Sequence, residues 1–308
     1  MPIPAVDKIW MNGKLVPWEE AKVHVLTHAL HYGSGVFEGI RAYKTNRGPA
    51  VFRLTDHLER LRRSARLYFM DIPYHTAELA AATKAVIAAN KLDECYIRPI
   101  VYRGYGEMGL YPLKAPVDCA IAVWPWGAYL GEEGIKHGIR AKVSSIQSLD
   151  ANSIPPAAKA CGQYLNSILA KVEATEAGYD EAVMLNRHGF VTQGSGENIF
   201  CVRGGVISTP PLAAGILAGI TRDTVMSIAV SLGHAVVEHN MARSDLYLAD
   251  ELFFTGTAAE VVPIREIDDH AIGEPGPLTR AIQDKFRAII SGRHEEFDHY
   301  LEYVNDGE

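Results

Sequence analysis

The sequence predicts an α+β protein of two domains. Three observations carry this. The chain has 308 residues, more than the roughly 100–200 of one domain. Strand-like runs have helix-period stretches segregated among them. After Pro125 a polar, glycine-bearing run from Gly127 to Gly138 divides the two halves. Residues 1–124 are therefore expected to form an N-terminal α+β domain, 125–138 an interdomain loop and 139–308 a C-terminal α+β domain.

The elements follow in order. Lys8-Ile-Trp-Met and Lys14-Leu-Val-Pro flank Asn12-Gly13, a strong hairpin signal. Leu54, Leu58, Leu61, Ala65 and Tyr68 recur at helical spacing, and an alanine-rich helix is expected from Thr76 to Lys91. Strands are expected at Cys95–Tyr102 and Val117–Trp124. Beyond the loop, Ile139–Ile146 alternates as a strand, and Gln163–Ala177 reads as a helix stopped by Gly178. Hairpins are expected around Arg187-His-Gly and Arg203-Gly-Gly. Thr221 is placed to cap a helix over Val225–Leu232, and Ser244 to cap a short one. Strands are expected near Val236 and at Glu251–Phe254, the second ending in Thr255-Gly-Thr-Ala-Ala259.

Composition removes several classes. A net charge of −7, from 30 basic and 37 acidic residues, offers no basic stripe for nucleic acid. The N-terminus lacks the charged and apolar regions of a secretory signal, and no apolar run is long enough for a bilayer, so no membrane partner and a cytoplasmic address are expected. Cys95, Cys119, Cys161 and Cys201 are widely spaced and read as free thiols, and no metal site is expected.

Three places can carry chemistry. Lys159 follows two stiffening prolines in Ser153-Ile-Pro-Pro-Ala-Ala-Lys-Ala-Cys-Gly-Gln-Tyr164, with small residues on both sides. Most lysines are solvated surface charges, since burying an unpaired ammonium costs several kcal/mol. This setting instead suits an amine held near a buried ligand. Gly219-Ile220-Thr221, at a helix start, and Thr255-Gly256-Thr257-Ala258, in a tight loop, offer amides and hydroxyls to a phosphate. Equally, Thr221 serves as a plain cap and Gly256 as a plain turn. Glu197, after Gly194-Ser-Gly, either bonds loop amides or pairs with a cationic ring nitrogen. On the strand Cys95-Tyr-Ile-Arg-Pro, Tyr96 and Arg98 share one face and Ile97 takes the other. That arginine is either a structural ion-pair member or a carboxylate receptor.

In chain order stand His28-Ala-Leu-His-Tyr-Gly33, Val36-Phe-Glu-Gly-Ile-Arg-Ala-Tyr43, His57-Leu-Glu-Arg-Leu-Arg-Arg-Ser-Ala65, Tyr96-Ile-Arg-Pro99, Pro125-Trp-Gly-Ala-Tyr-Leu130, Ala158-Lys-Ala160, Gly194-Ser-Gly-Glu-Asn198, Gly219-Ile-Thr-Arg-Asp223 and Thr255-Gly-Thr-Ala-Ala-Glu260. With these motifs, over nearly its whole length, the sequence resembles the branched-chain amino-acid aminotransferases among the fold-type IV pyridoxal-phosphate enzymes, relatives of D-amino-acid aminotransferase. The resemblance implies a two-domain fold with pyridoxal 5'-phosphate at the domain junction and the cofactor lysine on the C-terminal domain.

By position, the resemblance implies that Lys159 is the Schiff-base lysine and the proton carrier between substrate Cα and cofactor C4′. Tyr164 is implied at the phenolate oxygen and Glu197 at the ring nitrogen, with Arg60, Leu217, Gly219, Ile220, Thr221 and Thr257 around the cofactor, chiefly its phosphate. Arg60 also lies in a helix dense with basic residues, most of which must be solvated. Tyr32, Phe37, Gly39, Tyr96, Arg98, Met108, Trp126, Tyr129, Gly256, Thr257 and Ala258 are implied on the substrate side. Phe37, Trp126, Tyr129 and Met108 resemble an apolar wall, and each is equally suited to an ordinary core. Tyr32 and the Met108 loop are implied to reach a neighbouring subunit, so that a homodimer at least is expected, with hexamers among similar enzymes.

The implied reaction moves the amino group of L-leucine, L-isoleucine or L-valine to 2-oxoglutarate by a ping-pong route through the pyridoxamine form. D-amino-acid aminotransferase and aminodeoxychorismate lyase share the fold and are the nearest rivals; a non-catalytic anion-binding protein is the rival from another class. One position departs from the pattern: Gln193 stands where many relatives carry glutamate.

Overall fold

The computed structural model describes residues 3–127 and 131–305, without the side chain of Glu132. The chain forms two compact units. One comprises Met1–Trp126, Ala158–Gly162 and Ala288–Glu308; the other comprises Gly127–Ala157 and Gln163–Arg287.

The first stretch holds strands β1 (Lys8–Met11) and β2 (Lys14–Pro17), helix α1 (His28–Tyr32), strands β3 (Gly35–Phe37), β4 (Ile40–Thr45) and β5 (Gly48–Phe52), helices α2 (Leu54–Leu67) and α3 (Thr76–Ala89), and strands β6 (Cys95–Arg103) and β7 (Val117–Trp124). There follow α4 (Gly131–His137), β8 (Ile139–Val143), α5 (Tyr164–Glu176), β9 (Glu181–Leu185), β10 (Val191–Gly194), β11 (Asn198–Arg203) and β12 (Val206–Thr209). The remainder holds α6 (Ile220–Ser231), β13 (Val236–Glu238), α7 (Arg243–Tyr247), β14 (Glu251–Gly256), β15 (Glu260–Ile267), β16 (His270–Ala271), α8 (Pro277–Ile290) and β17 (Leu301–Tyr303).

In the first unit the sheet order is β17-β5-β4-β6-β7-β1-β2, with β3 also pairing β6, and every pairing is antiparallel. Asn12 and Gly13 both have positive φ, as a two-residue hairpin turn of matching twist requires. Leu54, Leu58, Leu61 and Ala65 on α2 are fully buried, and each leucine contributes roughly 1.5–3 kcal/mol of burial. They join Val36, Ile40, Ile97, Val101 and Ile121 from the sheet in one core. Pro99 sits in the middle of β6 where a missing N–H is tolerated. The partner ladder breaks there: β3 pairs β6 through Phe37↔Ile100 and β4 resumes at Ile40↔Ile97, leaving Glu38 and Gly39 between.

In the second unit the order is β10-β9-β8-β15-β14-β11-β12-β13, with β16 on β15. The pairs β12–β13, β15–β8 and β8–β9 are parallel and the rest antiparallel. Helix α5 ends before Gly178, whose φ of +84° is the expected stop. No helix among the described residues is long and apolar enough to cross a membrane.

Several local expectations change. The expected loop at 125–138 contains α4. Helix α6 starts about one turn earlier than its periodicity suggests, and its N-cap is Gly219 rather than Thr221; a Cβ at Gly219 would fall 1.9 Å from Asn198 Oδ1, so that cap position admits only glycine. Ala242 rather than Ser244 caps α7, since the Asp245 carboxylate takes the Ala242 N–H at 2.8 Å. The sequence reading puts Lys159 with the C-terminal half, whereas Ala158–Gly162 groups with the first unit. Ala160 forms a bridge with Val36, and a Cβ on Gly33 would lie 2.9 Å from Gly162 Cα.

Candidate active site

Lys159 is held through its backbone in the first unit. The Phe37 N–H donates to its carbonyl at 3.0 Å, and its own N–H donates to Ser64 Oγ at 3.0 Å. Its Nζ lies 5.2 Å from the centre of the Phe37 ring. A short strand contact and a helix hydroxyl thus fix the Cα of a half-buried lysine, while the flexible chain beyond it remains able to turn.

Arg60 lies inside rather than among the solvated arginines of α2. Its Nε and Nη2 donate to the two oxygens of Glu38 at 2.7 Å each, and Glu38 Oε2 also meets His57 Nδ1 at 2.8 Å. All three residues are buried. Burial disfavours the Glu38 carboxylate, but the Arg60 charge and the hydrogen bonds from Arg60 and His57 outweigh it and hold the group well below the usual carboxylate range. Burial also pushes the His57 imidazolium down, against the pull of Glu38. The imidazole is therefore neutral, and its bond to a carboxylate places the proton on Nδ1.

On β6 the two-residue repeat holds: Ile97 is in the core, while Arg98 Nη2 donates to Tyr96 Oη at 3.3 Å. The Arg98 guanidinium is 4.7 Å from the Phe37 ring centre and 5.2 Å from that of Tyr96. Trp126 packs 5.2 Å from Tyr96. A Cβ on Gly39 would fall 2.1 Å from Tyr96 Oη, so only glycine admits the tyrosine there. Arg98 Nε and Trp126 Nε1 are buried with no hydrogen-bond partner among the described residues. Phe37, Gly39, Tyr96, Arg98 and Trp126 are thus brought together, with donors to spare for an anion.

Tyr32 and Met108 are exposed, at 44% and 46%. His28 relates them: its Nδ1 meets Ser34 Oγ at 2.7 Å and its Nε2 meets the Gly109 carbonyl at 2.8 Å, tying the loop of Met108 to the helix that ends in Tyr32. Tyr129 lies outside the described residues.

In the second unit, half-buried Gly219 caps the N-terminus of α6, whose first residues Ile220 and Thr221 are buried. Two side chains fix its approach. Gln193 Oε1 accepts the Leu217 N–H at 3.0 Å, and Asn198 Nδ2 donates to the Leu217 carbonyl at 3.0 Å. Gln193, the departure from the family pattern, is therefore a structural acceptor for the loop. Glu197 is buried; its Oε2 accepts the Gly196 N–H at 3.0 Å, which is the loop-amide bond foreseen as one of its two uses. Its Cγ lies 3.4 Å from where a Cβ on Gly256 would stand, so Glu197 adjoins the loop of Gly256, Thr257 and Ala258. Tyr164 is half-buried as the first residue of α5.

This arrangement suits pyridoxal phosphate. Asn198 and Thr255 are directly opposed on β11 and β14, so their side chains share the face toward Leu217 and Gly219. Thr255 Oγ1 is buried there without a partner among the described residues. A partly buried helix N-terminus, a glycine with no room for Cβ and a buried hydroxyl without a partner among the described residues together fit a phosphate. The buried carboxylate of Glu197, beside two glycine backbones, matches what a pyridinium nitrogen requires.

Sequence reasoning missed Glu38, His57, Ser64, Asn198 and the role of Gln193. Two of these had a signal. With Arg60, both His57 and Ser64 adjoin the apolar stripe of Leu58, Leu61 and Ala65 at the same spacing, so polar groups had to enter the core and find partners.

The amino-transferase class IV family model matches residues 35–267. The branched-chain-amino-acid aminotransferase of Salmonella typhimurium is 47% identical over 302 residues, covering 97% of this chain and 98% of its own. The crystal structure of the Escherichia coli branched-chain amino acid aminotransferase is similar with a TM-score of 0.96 at 46% identity, over 97% of this chain and 100% of that one. The branched-chain amino acid aminotransferase from Thermobaculum terrenum, solved in its PLP form, gives 0.92 at 37% identity, over 98% and 99%. With most of its length matched at this identity, the chain belongs to the class IV aminotransferases.

Proposed function

We infer that this protein is a pyridoxal-phosphate-dependent branched-chain-amino-acid transaminase, moving the amino group of L-leucine, L-isoleucine or L-valine to 2-oxoglutarate. The observation that carries it is Lys159, fixed at both its N–H and its carbonyl with its Nζ over the Phe37 ring. When bound, pyridoxal phosphate supplies the aldehyde that takes up the amino group and the ring that stabilises charge at the substrate carbon.

The chain's own groups do the rest. Lys159 holds the cofactor and moves a proton between substrate Cα and cofactor C4′. Its backbone, tethered at both N–H and carbonyl, restricts where Nζ can go, which is the positional advantage an intramolecular base offers. Arg60, Leu217, Gly219, Ile220, Thr221 and Thr257 hold the phosphate end, Tyr164 the phenolate oxygen and Glu197 the ring nitrogen. Tyr96 and the amides of Gly256, Thr257 and Ala258 take the substrate α-carboxylate. Arg98 takes the second carboxylate of glutamate, and its unpaired Nε supports this use. Phe37, Trp126, Tyr129 and Met108 supply the apolar wall for branched side chains, with Gly39 making room for Tyr96.

A homodimer at least is part of this reading. Leu110 is 91% exposed and Tyr111 is exposed beside Met108 and near Tyr32, an apolar surface of the kind that marks an interface. Sedimentation of the purified protein checks it, and a monomer carrying full activity contradicts it. The cytoplasm is the compartment this reading places it in.

An initial-rate panel tests the function. L-leucine, L-isoleucine and L-valine with 2-oxoglutarate are expected to exceed D-alanine with 2-oxoglutarate by orders of magnitude. Preference for D-alanine would make the protein a D-amino-acid aminotransferase, and pyruvate release from aminodeoxychorismate would make it a lyase. Failure to bind pyridoxal phosphate at all would leave only an anion-binding role. For the ring nitrogen, Glu197→Gln and Gln193→Glu are compared by the pH dependence of the bound-cofactor absorption. A shift from Gln193→Glu and none from Glu197→Gln would remove Glu197 from that role.

A further inference from the structure

We propose that Glu38 is a positioning residue that orients the Arg60 guanidinium for the cofactor phosphate, an inference resting on the phosphate-binding role of Arg60 given above. Glu38 occupies the break between β3 and β4, where it is fully buried and its N–H donates to the Pro99 carbonyl at 2.9 Å. Its two oxygens take Arg60 side-on, through Nε and Nη2 at 2.7 Å each. A guanidinium is planar, so two parallel bonds to one carboxylate fix both its plane and the direction in which its Nη1 edge points. The third bond, from His57 Nδ1 to Glu38 Oε2 at 2.8 Å, stops the carboxylate from rotating and closes the set.

The surroundings argue for orientation rather than plain stability. Buried ion pairs are often no more stabilising than apolar residues of the same volume, so strength alone does not account for one here. The same helix face that carries His57 and Arg60 carries Ser64, which accepts the Lys159 N–H, and the residue before Glu38 is Phe37, which donates to the Lys159 carbonyl. One strand segment and one helix face therefore fix Lys159 and Arg60 together. Neutral His57 leaves the Glu38 carboxylate and Arg60 guanidinium charges balanced, so the buried group of three carries no net charge.

Replacing Glu38 by glutamine puts an amide N–H against both the Arg60 Nη2 and His57 Nδ1 donors or, with the amide flipped, against Arg60 Nε, and the fork has to turn away. The full-length protein, stripped of cofactor, is titrated with pyridoxal 5'-phosphate and with pyridoxal, which lacks the phosphate. Glu38→Gln is expected to weaken pyridoxal phosphate by about 10- to 100-fold, the scale of a lost charge-assisted bond, and pyridoxal by no more than about 3-fold. Glu38→Asp, which keeps the charge but falls short by a methylene, is expected to lie between wild type and Glu38→Gln in the ratio of the two affinities, and serves where the glutamine variant does not fold. Equal weakening of both ligands, or an unchanged ratio in both variants, overturns the proposal. Arg60→Met separates the two readings. If it leaves pyridoxal phosphate affinity unchanged, the phosphate role of Arg60 itself fails; if it weakens binding while the Glu38 variants do not, only the positioning role fails.

Discussion

Phe37 touches Lys159 twice, donating its N–H to the lysine carbonyl at 3.0 Å and presenting its ring 5.2 Å from Nζ. The same ring lies 4.7 Å from the Arg98 guanidinium. One aromatic side chain thus adjoins both the amine proposed to carry the chemistry and the arginine proposed to read the acceptor.

Arg98→Gln separates the two substrates. The variant is expected to lose about 100-fold in kcat/KM for glutamate and 2-oxoglutarate, roughly 3 kcal/mol for a buried charge-assisted contact. Leucine has no second carboxylate and should change by no more than about 3-fold, the scale of an indirect packing effect. Half-reaction rates with each amino acid check this; equal losses for leucine and glutamate would make Arg98 merely structural.

Gly39→Ala tests the packing of Tyr96. The new Cβ would fall 2.1 Å from Tyr96 Oη, far inside contact distance, so the tyrosine must move. KM for amino acids is expected to rise about 10-fold or more if Tyr96 holds the α-carboxylate as proposed, while cofactor affinity stays near wild type. An unchanged KM would detach Tyr96 from substrate.

Acid should destabilise the protein in two stages. His57 has its proton affinity lowered in the fold by burial, opposed by Glu38 and reinforced by the charges of Arg60 and Lys159. As pH falls through its ordinary 6.5, the unfolded chain takes up a proton that the folded chain refuses, and stability declines. Burial works against the Glu38 carboxylate, but Arg60 and His57 hold its folded value below the ordinary 4.5. Its contribution is therefore full above that value and is lost as pH drops below it. Melting temperature against pH should begin to fall near 6.5 and steepen below 4.5, with Glu38→Gln flattening the lower stage. Identical lower stages in the variant and the wild type would contradict this.

Much of this was legible in the sequence because its signals are local. Asn12-Gly13 dictates its turn through positive φ, Gly178 ends its helix for the same reason, and alternation alone put Tyr96 and Arg98 opposite Ile97. The requirement for glycine at the α6 cap is long-range. Gly219 is required by Asn198, twenty-one residues earlier, and no local pattern reports that distance. Glu38 was hidden likewise: within Val36-Phe-Glu-Gly-Ile it looks like a strand-end charge, and its partners lie on a helix that follows two further strands. Gln193 shows the limit of family position, which marked it as a departure while only the fold showed its bond to Leu217.

Lys159 is proposed to be both the cofactor's anchor and the proton carrier. Lys159→Ala, followed spectroscopically with pyridoxal phosphate and by single-turnover reaction with L-leucine, tests it most directly. No absorption band of lysine-bound cofactor is expected, with a transamination rate reduced about 10⁴-fold, the upper range for loss of a positioned acid-base group. A variant that transaminates L-leucine at near wild-type rate would contradict it.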